Sequence, residues 1–522
     1  MRTVRLIVLL VVGLGFLSSS CKNNSPEKEK DKAQKPNIIY ILADDLGYGH
    51  LGCYGQEKIE TPNIDTLAAN GMIFTQHYAG AALCAPSRCV LLTGKHLGHA
   101  QIRGNDDWEE RGDVWNWTKT ENTPELEGQY PLKAGTPTIA SVLKAEGYKT
   151  AIIGKWGLGG PTSEGAPNKQ GFDFFYGYNC QCLAHNYYPK YLWRGTTKVW
   201  LDNHIVDPGT KYKKVTLPEG DDPYDENNYK QYSSNEYAPT LMQKEAISFI
   251  KANKDKLFFL YYASTIPHPA LQAPKRLLDY YHEKFGDEEP YLGERNYYPV
   301  RYPHATFAAM VSYLDEQVGE LVAELKELGL YENTLIIITG DNGPANMGGA
   351  DPVYFDSAKP FKCAPGWGKG NLTEGGIRVP MIAHWPGKIK AGSNTDLVSA
   401  FYDVLPTLCD VAQIDVPEGG DGISFLPTLL DEGEQKEHEY MVWDFPAGGG
   451  QQAVRLGTWK ALRKKIFKDS LRVRLYNLDE DLQETSDISI QHPELVRQME
   501  TILKQEHTVP ENEHFKMKAL GD

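Results

Sequence analysis

The feature that most constrains the fold is a set of four apolar runs, each of which ends in polar residues. A continuous apolar run is typical of a strand buried on both faces of a parallel sheet. Helix-like stretches lie between the runs and imply right-handed crossovers, so we predict an α/β fold with a large, mostly parallel sheet flanked by helices. The runs are residues 37–43, 149–153, 256–262 and 334–339, and the helix-like stretches are residues 138–146, 241–252 and 305–328.

Oxygen-bearing side chains follow two of these runs. Asp44 and Asp45 come after the first, and Asp341 and Asn342 come after the last. Ligands bind beyond the carboxyl ends of parallel strands, and a set of carboxylate and amide oxygens suits calcium or magnesium. Paired acidic residues also occur in ordinary turns, but two such pairs, each after a buried strand, favour a metal site. No spacing typical of a zinc or iron site is present.

The N-terminus has the pattern of an export signal. Basic residues precede an apolar run that is too short for a membrane span, which predicts a signal peptide over residues 1–20. Cys21 follows small residues as in a lipobox, so we expect its lipidation; ordinary cleavage that releases a soluble protein is the alternative. Residues 21–35 are polar and predict a flexible tether. The expected location is the periplasm or cell surface, with a lipid anchor to the membrane.

The length and net charge of the chain limit how many domains it can form and which classes of partner it can bind. The chain has 522 residues with 41% hydrophobic content, enough for two domains. We predict a catalytic domain over residues 36–436 and a C-terminal α+β subdomain over residues 437–522, with short antiparallel strands and a helix near residues 493–504. Residues 505–522 show no clear pattern and are expected to fray. The net charge of −15 argues against nucleic acid and requires local cations for any anionic substrate.

The residues that follow Cys84 have a pattern that predicts the start of a helix. Pro86 fits the first helical turn, and Gly94 fits a helix end. A helix N-terminus attracts anions and lowers the pKa of a thiol. Cys84 therefore has three interpretations: a buried structural cysteine, a thiolate nucleophile, or a residue modified to become the nucleophile.

The third interpretation depends on a resemblance. The segment around Cys84 resembles the signature of the formylglycine-dependent (type I) sulfatases, which are arylsulfatase-like enzymes of the alkaline-phosphatase-like superfamily. The resemblance covers about residues 36–490 and implies a large parallel sheet with a small C-terminal antiparallel sheet. The matching segments are Cys84-Ala85-Pro86-Ser87-Arg88, Leu91-Leu92-Thr93-Gly94, Asp44-Asp45, Gly154-Lys155-Trp156, Asp341-Asn342-Gly343, Gly368-Lys369-Gly370 and Glu374-Gly375-Gly376-Ile377-Arg378.

The resemblance implies a role for each matching residue. In this family a maturation enzyme oxidises the cysteine to formylglycine (3-oxoalanine), whose hydrate attacks the sulfur of a sulfate ester and then expels sulfate. One calcium ion is the implied cofactor. The implied metal ligands are Asp44, Asp45, Asp341, Asn342 and the modified Cys84. The implied catalytic residues besides Cys84 are Arg88, which holds the diol, Lys155 and Lys369, which bind the sulfate, and His268, the general acid near the leaving oxygen.

The chain departs from the family at Gly157. Many relatives carry histidine there, in contact with the diol and assisting sulfate release. We predict that His185, in an aromatic and polar stretch about 30 residues further on, replaces it in catalysis and substrate binding. The alternative is an ordinary surface-loop histidine.

The expected partners are a sulfated saccharide and the maturation enzyme. The resemblance to relatives that also have glycine at the position of Gly157 favours galactose or N-acetylgalactosamine sulfates of host or algal glycans as the substrates. A phosphatase or phosphodiesterase of the same superfamily is one alternative, although the two-zinc ligand set of those enzymes is missing. An inactive glycan-binding lipoprotein is the other.

Overall fold

The computed structural model describes residues 35–204, 215–468 and 470–522. The predicted signal peptide, Cys21 and all but the last residue of the predicted tether lie outside the described residues. Within the described chain, no helix is both long and apolar enough to cross a membrane.

The described residues form a large sheet and a small one. The large sheet has 11 strands and is mostly parallel. Its strands are β1 (Asn37–Ala43), β2 (Met72–Tyr78), β3 (Lys149–Lys155), β4 (Phe174–Tyr178), β5 (Tyr191–Arg194), β6 (Thr197–Trp200), β7 (Phe258–Ala263), β8 (Thr334–Gly340), β9 (Arg378–His384), β10 (Ser393–Thr395) and β11 (Ser399–Ala400). Their order is β10-β2-β9-β8-β1-β7-β3-β4-β5-β6, with β11 beside β2.

Helices cover both faces of this sheet. The three predicted helix-like stretches correspond to the fourth, fifth and seventh helices, and Thr138 caps the fourth by accepting a hydrogen bond from the Ser141 amide. The helices are α1 (Pro62–Ala69), α2 (Cys84–Thr93), α3 (Trp117–Asn122), α4 (Ile139–Ala145), α5 (Ala238–Ala252), α6 (Lys275–Phe285), α7 (Pro303–Glu327), α8 (Glu374–Ile377), α9 (Val404–Val411), α10 (Leu426–Leu430) and α11 (Pro493–Gln505).

The four predicted strands are neighbours in the order β8-β1-β7-β3, and all are parallel. In β1, Ile38 and Tyr40 pack into one hydrophobic cluster, whereas Ile39 and Ile41 pack into a second. Successive side chains of a strand point to opposite faces, so both faces of β1 are buried. This double burial explains the continuous apolar run, and the predicted fold class is confirmed.

The C-terminal region forms the predicted antiparallel sheet with α11. Val454, Leu475 and Leu503 are among the residues of its own small core. The expectation that residues 505–522 fray is wrong, because Phe515 and Met517 are buried there. The strands are β12 (Met441–Phe445), β13 (Gln451–Leu456), β14 (Trp459–Lys464) and β15 (Val473–Asn477).

A buried ionic cluster around Glu374 joins the two sheets. The Glu374 carboxylate accepts hydrogen bonds from the Lys460 ammonium of β14 at 2.8 Å, the Tyr78 hydroxyl of β2 at 2.6 Å and the Arg378 guanidinium at 3.2 Å. Burial by itself raises the pKa of Glu374, but the attraction of Lys460, Arg378 and Arg455 outweighs it and lowers the pKa to about 2. The ionised cluster therefore stabilises the contact between the sheets.

We expect Glu374→Gln to lower the free energy of unfolding by about 3–5 kcal/mol at pH 7, because Arg378 and Lys460 lose the buried carboxylate that they share. The folded-state pKa lies below the ordinary value of 4.5. The contribution is therefore complete above about pH 4.5 and is lost as the pH falls towards 2. Urea unfolding at pH 7 and pH 3.5 measures both effects. The exposed pair of Arg497 and Glu494 on α11 provides the control, since Glu494→Gln should cost less than about 1 kcal/mol. A Glu374→Gln loss as small as that control contradicts the prediction.

Candidate active site

The carboxyl ends of β1 and β8 bring the four predicted oxygen ligands together. The Asp45 amide donates to the Asp341 carboxylate at 3.0 Å, and the Asn342 side-chain amide donates to the Asp45 carboxylate at 2.7 Å. Asp44 adjoins Asp45, and each of the four residues is at most 1% exposed. Adjacent parallel strands in register thus create one buried acidic centre.

Helix α2 directs Cys84 into this centre. The Cys84 thiol donates to the Asp44 carboxylate at 3.1 Å. Asn105 accepts a hydrogen bond from the Ala85 amide at the first turn, and the Ser87 hydroxyl donates to the Asp341 carbonyl oxygen at 2.6 Å. These bonds fix the start of the helix against the end of β8.

Three cations surround the acidic centre. Arg88 donates to the Asp341 carboxylate at 2.8 Å, and Lys155 donates to the Asp44 carboxylate at 2.6 Å. The Lys369 ammonium lies 2.7 Å from an Asp45 carboxylate oxygen and 3.5 Å from the Cys84 sulfur. All three predicted cations are therefore in place around the thiol.

Formal charges cancel among the described groups of the site: the three carboxylates face Arg88 and the two lysines. Burial and the neighbouring Asp44 carboxylate raise the pKa of Asp341 to about 7. A bound divalent cation would offset the crowding of the carboxylates and give the site a net positive charge, which favours an anionic substrate.

The environment of Cys84 argues against a thiolate nucleophile. Burial raises the pKa of the Cys84 thiol far above its ordinary value, and the Asp341 and Asp44 carboxylates raise it further. The nearby lysines counteract this only in part. Because the thiolate is the reactive form of cysteine, an unmodified Cys84 is a poor nucleophile here. Without a bound cation, this environment favours a structural role or a modification of Cys84 over a thiolate nucleophile.

The donor set fits a hard divalent cation. In the described part of the chain, Oδ1 of Asn342 is buried without a hydrogen-bond partner, although its amide nitrogen is bonded. The amide nitrogen of the same side chain bonds the Asp45 carboxylate, and the Asp45 backbone amide bonds the Asp341 carboxylate, so these residues and the adjacent Asp44 offer one amide and three carboxylates as oxygen ligands. Such a set suits calcium or magnesium better than softer metals.

Two histidines stack at the edge of the centre. The rings of His268 and His185 have centroids 4.3 Å apart and are inclined by only 5°. Nε2 of His268 lies 3.6 Å from the Asp45 carboxylate, and Nδ1 of His185 is buried without a partner among the described residues. His185 therefore lies against His268 at the edge of the centre, and its role in catalysis stays a prediction.

Tyr297 is a site residue that the sequence reasoning missed. Its ring meets the edges of both imidazoles, with centroids 5.4 Å from His185 and 5.8 Å from His268. Tyr297 lies in an irregular loop with φ of 64°, a conformation that non-glycine residues rarely adopt. No periodic pattern or motif marks it in the sequence.

The chain matches known families over most of its length. The Sulfatase family model matches residues 36–414, and the model "N-sulphoglucosamine sulphohydrolase, C-terminal" matches residues 366–509. Human arylsulfatase A is 32% identical over 454 residues, which cover 82% of this chain and 75% of that protein. The N-acetylgalactosamine-6-O-sulfatase of Bacteroides thetaiotaomicron is 28% identical over 557 residues, which cover 97% of this chain and 99% of that protein.

A solved structure agrees with these matches. The crystal structure of Ps i-CgsB aligns with a TM-score of 0.71 and 27% identity over 92% of this chain and 95% of that one. Ps i-CgsB has also been solved in complex with k-i-k-neocarrahexaose. The family match and the relatives decide against the phosphatase alternative. The chain belongs to the sulfatase family and is a sulfuric ester hydrolase.

Proposed function

We propose that this protein removes sulfate from galactose or N-acetylgalactosamine sulfate esters of glycans, using a formylglycine made from Cys84. The observation that carries the proposal is the placement of Cys84 at a helix N-terminus among Lys155, Lys369 and Arg88. The Bacteroides relative, a sulfatase of 6-sulfated N-acetylgalactosamine by name, supports the substrate class.

Maturation and the metal complete the proposed site. A formylglycine-generating enzyme would oxidise Cys84, and Asp44, Asp45, Asp341 and Asn342 would hold one calcium ion. When bound, the ion supplies positive charge that lowers the pKa of the attacking hydroxyl and offsets charge on the sulfate. The raised thiol pKa supports a modified nucleophile, because a neutral thiol is a weaker nucleophile than a thiolate.

The lysines are the proposed sulfate ligands. Lys155 pairs with Asp44 and Lys369 pairs with Asp45, two carboxylates that a metal ion would engage. Their ammonium groups are then available to donate to sulfate oxygens and stabilise charge as the sulfur–oxygen bond breaks. Arg88 is fixed by Asp341 and by the Lys155 carbonyl oxygen at 2.8 Å, so it orients the group at position 84.

The two histidines are the proposed proton-transfer groups. Burial, followed by the charge of Lys369, lowers the pKa of His268, and burial together with His268 lowers the pKa of His185. The lowered pKa values favour two neutral imidazoles before substrate binds, and an anionic sulfate ester beside His268 would favour its protonated form. We assign His268 to protonation of the leaving oxygen and His185 to proton acceptance during sulfate release.

We expect His185→Ala to lower kcat by about 10²–10⁴-fold, the usual contribution of a general acid or base. Steady-state kinetics on the mature protein measures this. His384, a buried histidine at the other end of the sheet, provides the control, since His384→Asn should leave kcat unchanged. Unchanged turnover in His185→Ala removes His185 from the mechanism.

Sulfate release from a defined ester panel tests the function. Mature protein is incubated with 4-O- and 6-O-sulfated galactose and N-acetylgalactosamine, and with p-nitrophenyl phosphate. We expect sulfate from at least one sugar ester and no phosphate. Release of phosphate without sulfate, or of neither, contradicts the proposal and favours a phosphatase or an inactive glycan-binding protein.

Export and lipidation remain part of the proposal. The basic and apolar pattern before Cys21 supports a signal peptide and a lipid anchor in the periplasm or on the cell surface. Membrane fractionation tests this: Cys21→Ser should move the protein from the membrane pellet to the soluble fraction, and an unchanged pellet contradicts lipidation.

A further inference from the structure

Gln181 carries a buried carboxamide that the protein leaves unpaired. The residue is 2% exposed, and within the described chain neither its Nε2 nor its Oε1 has a hydrogen-bond partner. A buried polar group without a partner costs about 1–3 kcal/mol. Native proteins keep few such groups, and each needs a physical reason.

The segment that carries Gln181 runs along the active site. It follows β4, whose last residue Tyr178 pairs with Lys155 at the end of β3. Four residues after Gln181 comes His185, which stacks on His268. The Gln181 amide donates to the Gln129 side-chain oxygen at 3.0 Å, so the backbone is fixed at this point.

The side chain of Gln181 lies directly over Gly157. A Cβ atom on Gly157 would lie 2.6 Å from Cγ of Gln181 and 2.9 Å from its Cδ, which is closer than real Cβ contacts. Gly157 follows Lys155 by two residues and has φ of +84°, which glycine adopts without strain. The Gln181 carboxamide therefore occupies the space that a side chain at position 157 would need.

We propose that the Gln181 carboxamide is a ligand of the sulfate ester, with Nε2–H donating to a sulfate oxygen beside Lys155. This rests on the proposed sulfatase function and adds a substrate contact to it. A hydrogen bond to an anionic oxygen is roughly twice as strong as one between neutral groups, which accounts for keeping an unpaired amide at this place. The amide does not titrate, so its contribution is the same at every pH at which the enzyme works.

The near-isosteric variant Gln181→Met separates substrate binding from packing. We expect kcat/KM to fall by about 10–100-fold and the inhibition constant of inorganic sulfate to rise by at least about fivefold. The ratio of wild-type to variant kcat/KM should stay constant across pH. The melting temperature should stay the same or rise, because an apolar group replaces an unpaired amide.

A matched glutamine provides the control. Gln243 is also buried, but its amide nitrogen donates to the Gln317 carbonyl oxygen and to Glu320, both at 3.0 Å. We expect Gln243→Met to lower the melting temperature and to leave kcat/KM and sulfate inhibition unchanged. A second variant, Gln181→Glu, should lose more activity at neutral pH than Gln181→Met, because its carboxylate repels sulfate.

The outcomes distinguish this inference from the proposed function. If the wild type releases no sulfate from any ester, the proposed function fails. If the wild type is active and both Gln181 variants retain its kcat/KM and sulfate inhibition, Gln181 only packs over Gly157 and the inference is overturned.

Discussion

Replacing Cys84 by alanine is expected to lower kcat by at least about 10⁴-fold, because no neighbouring side chain can supply the covalent nucleophile. Steady-state sulfate release from the mature protein measures the loss. The fold should remain intact, since the Cys84 side chain contributes only two weak hydrogen bonds, one to Asp44 and one from Lys369. Circular dichroism and the melting temperature of Cys84→Ala measure whether its fold is intact.

Cys89 provides the matched control for this variant. It lies five residues further along α2, is also buried, and packs in the hydrophobic core beneath the sheet. Cys89→Ala should lower stability by about 1 kcal/mol and leave kcat within about twofold of the wild type. A Cys84→Ala protein as active as Cys89→Ala contradicts a nucleophilic role for Cys84.

Asp341→Asn is expected to remove both metal binding and activity, the latter by about 10²–10⁴-fold. The Asp341 carboxylate is one of the proposed ligands and also holds Arg88. A ligand that binds only the folded state raises the melting temperature. Calcium should therefore stabilise the wild type and have no effect on Asp341→Asn, and elemental analysis should find metal only in the wild type.

Asp315 separates this loss from a general effect of removing a buried carboxylate. It lies on α7, where it accepts hydrogen bonds from the Ile64 amide and the Asn63 side chain at the start of α1, both at 2.7 Å. Asp315→Asn should lower stability and retain both bound metal and activity. If Asp341→Asn binds calcium as the wild type does, the proposed metal site is wrong.

The sheet and the centre of the site could be predicted from the sequence because their signals are local. The apolar run of β1 marks a strand buried on both faces, and Asp44 and Asp45 mark its carboxyl end. Parallel pairing then places the residues after β8 beside them. Only the resemblance indicated the chemistry of Cys84, since its position at a helix start is compatible with a structural role.

The remaining site residues could not be predicted from the sequence, because contacts between distant segments bring them to the site. Tyr297 contacts both imidazoles from an irregular loop, and Gln181 differs from its surroundings in the sequence only because it lies between two cysteines. Residues 505–522 show the same limit of prediction from sequence. Phe515 packs in the core of the large sheet, although no periodic hydrophobic pattern surrounds it. Tertiary packing, not local propensity, decides these positions.

The mass of the peptide that contains Cys84 tests the central claim most directly. Protein co-expressed with a formylglycine-generating enzyme is digested and analysed by mass spectrometry. Conversion of the thiol to an aldehyde should make the peptide about 18 Da lighter, whereas ordinary thiol oxidation adds mass. We predict the lighter peptide in active preparations, in proportion to their activity. Sulfate release by a preparation whose Cys84 peptide has only the unmodified mass would contradict the account.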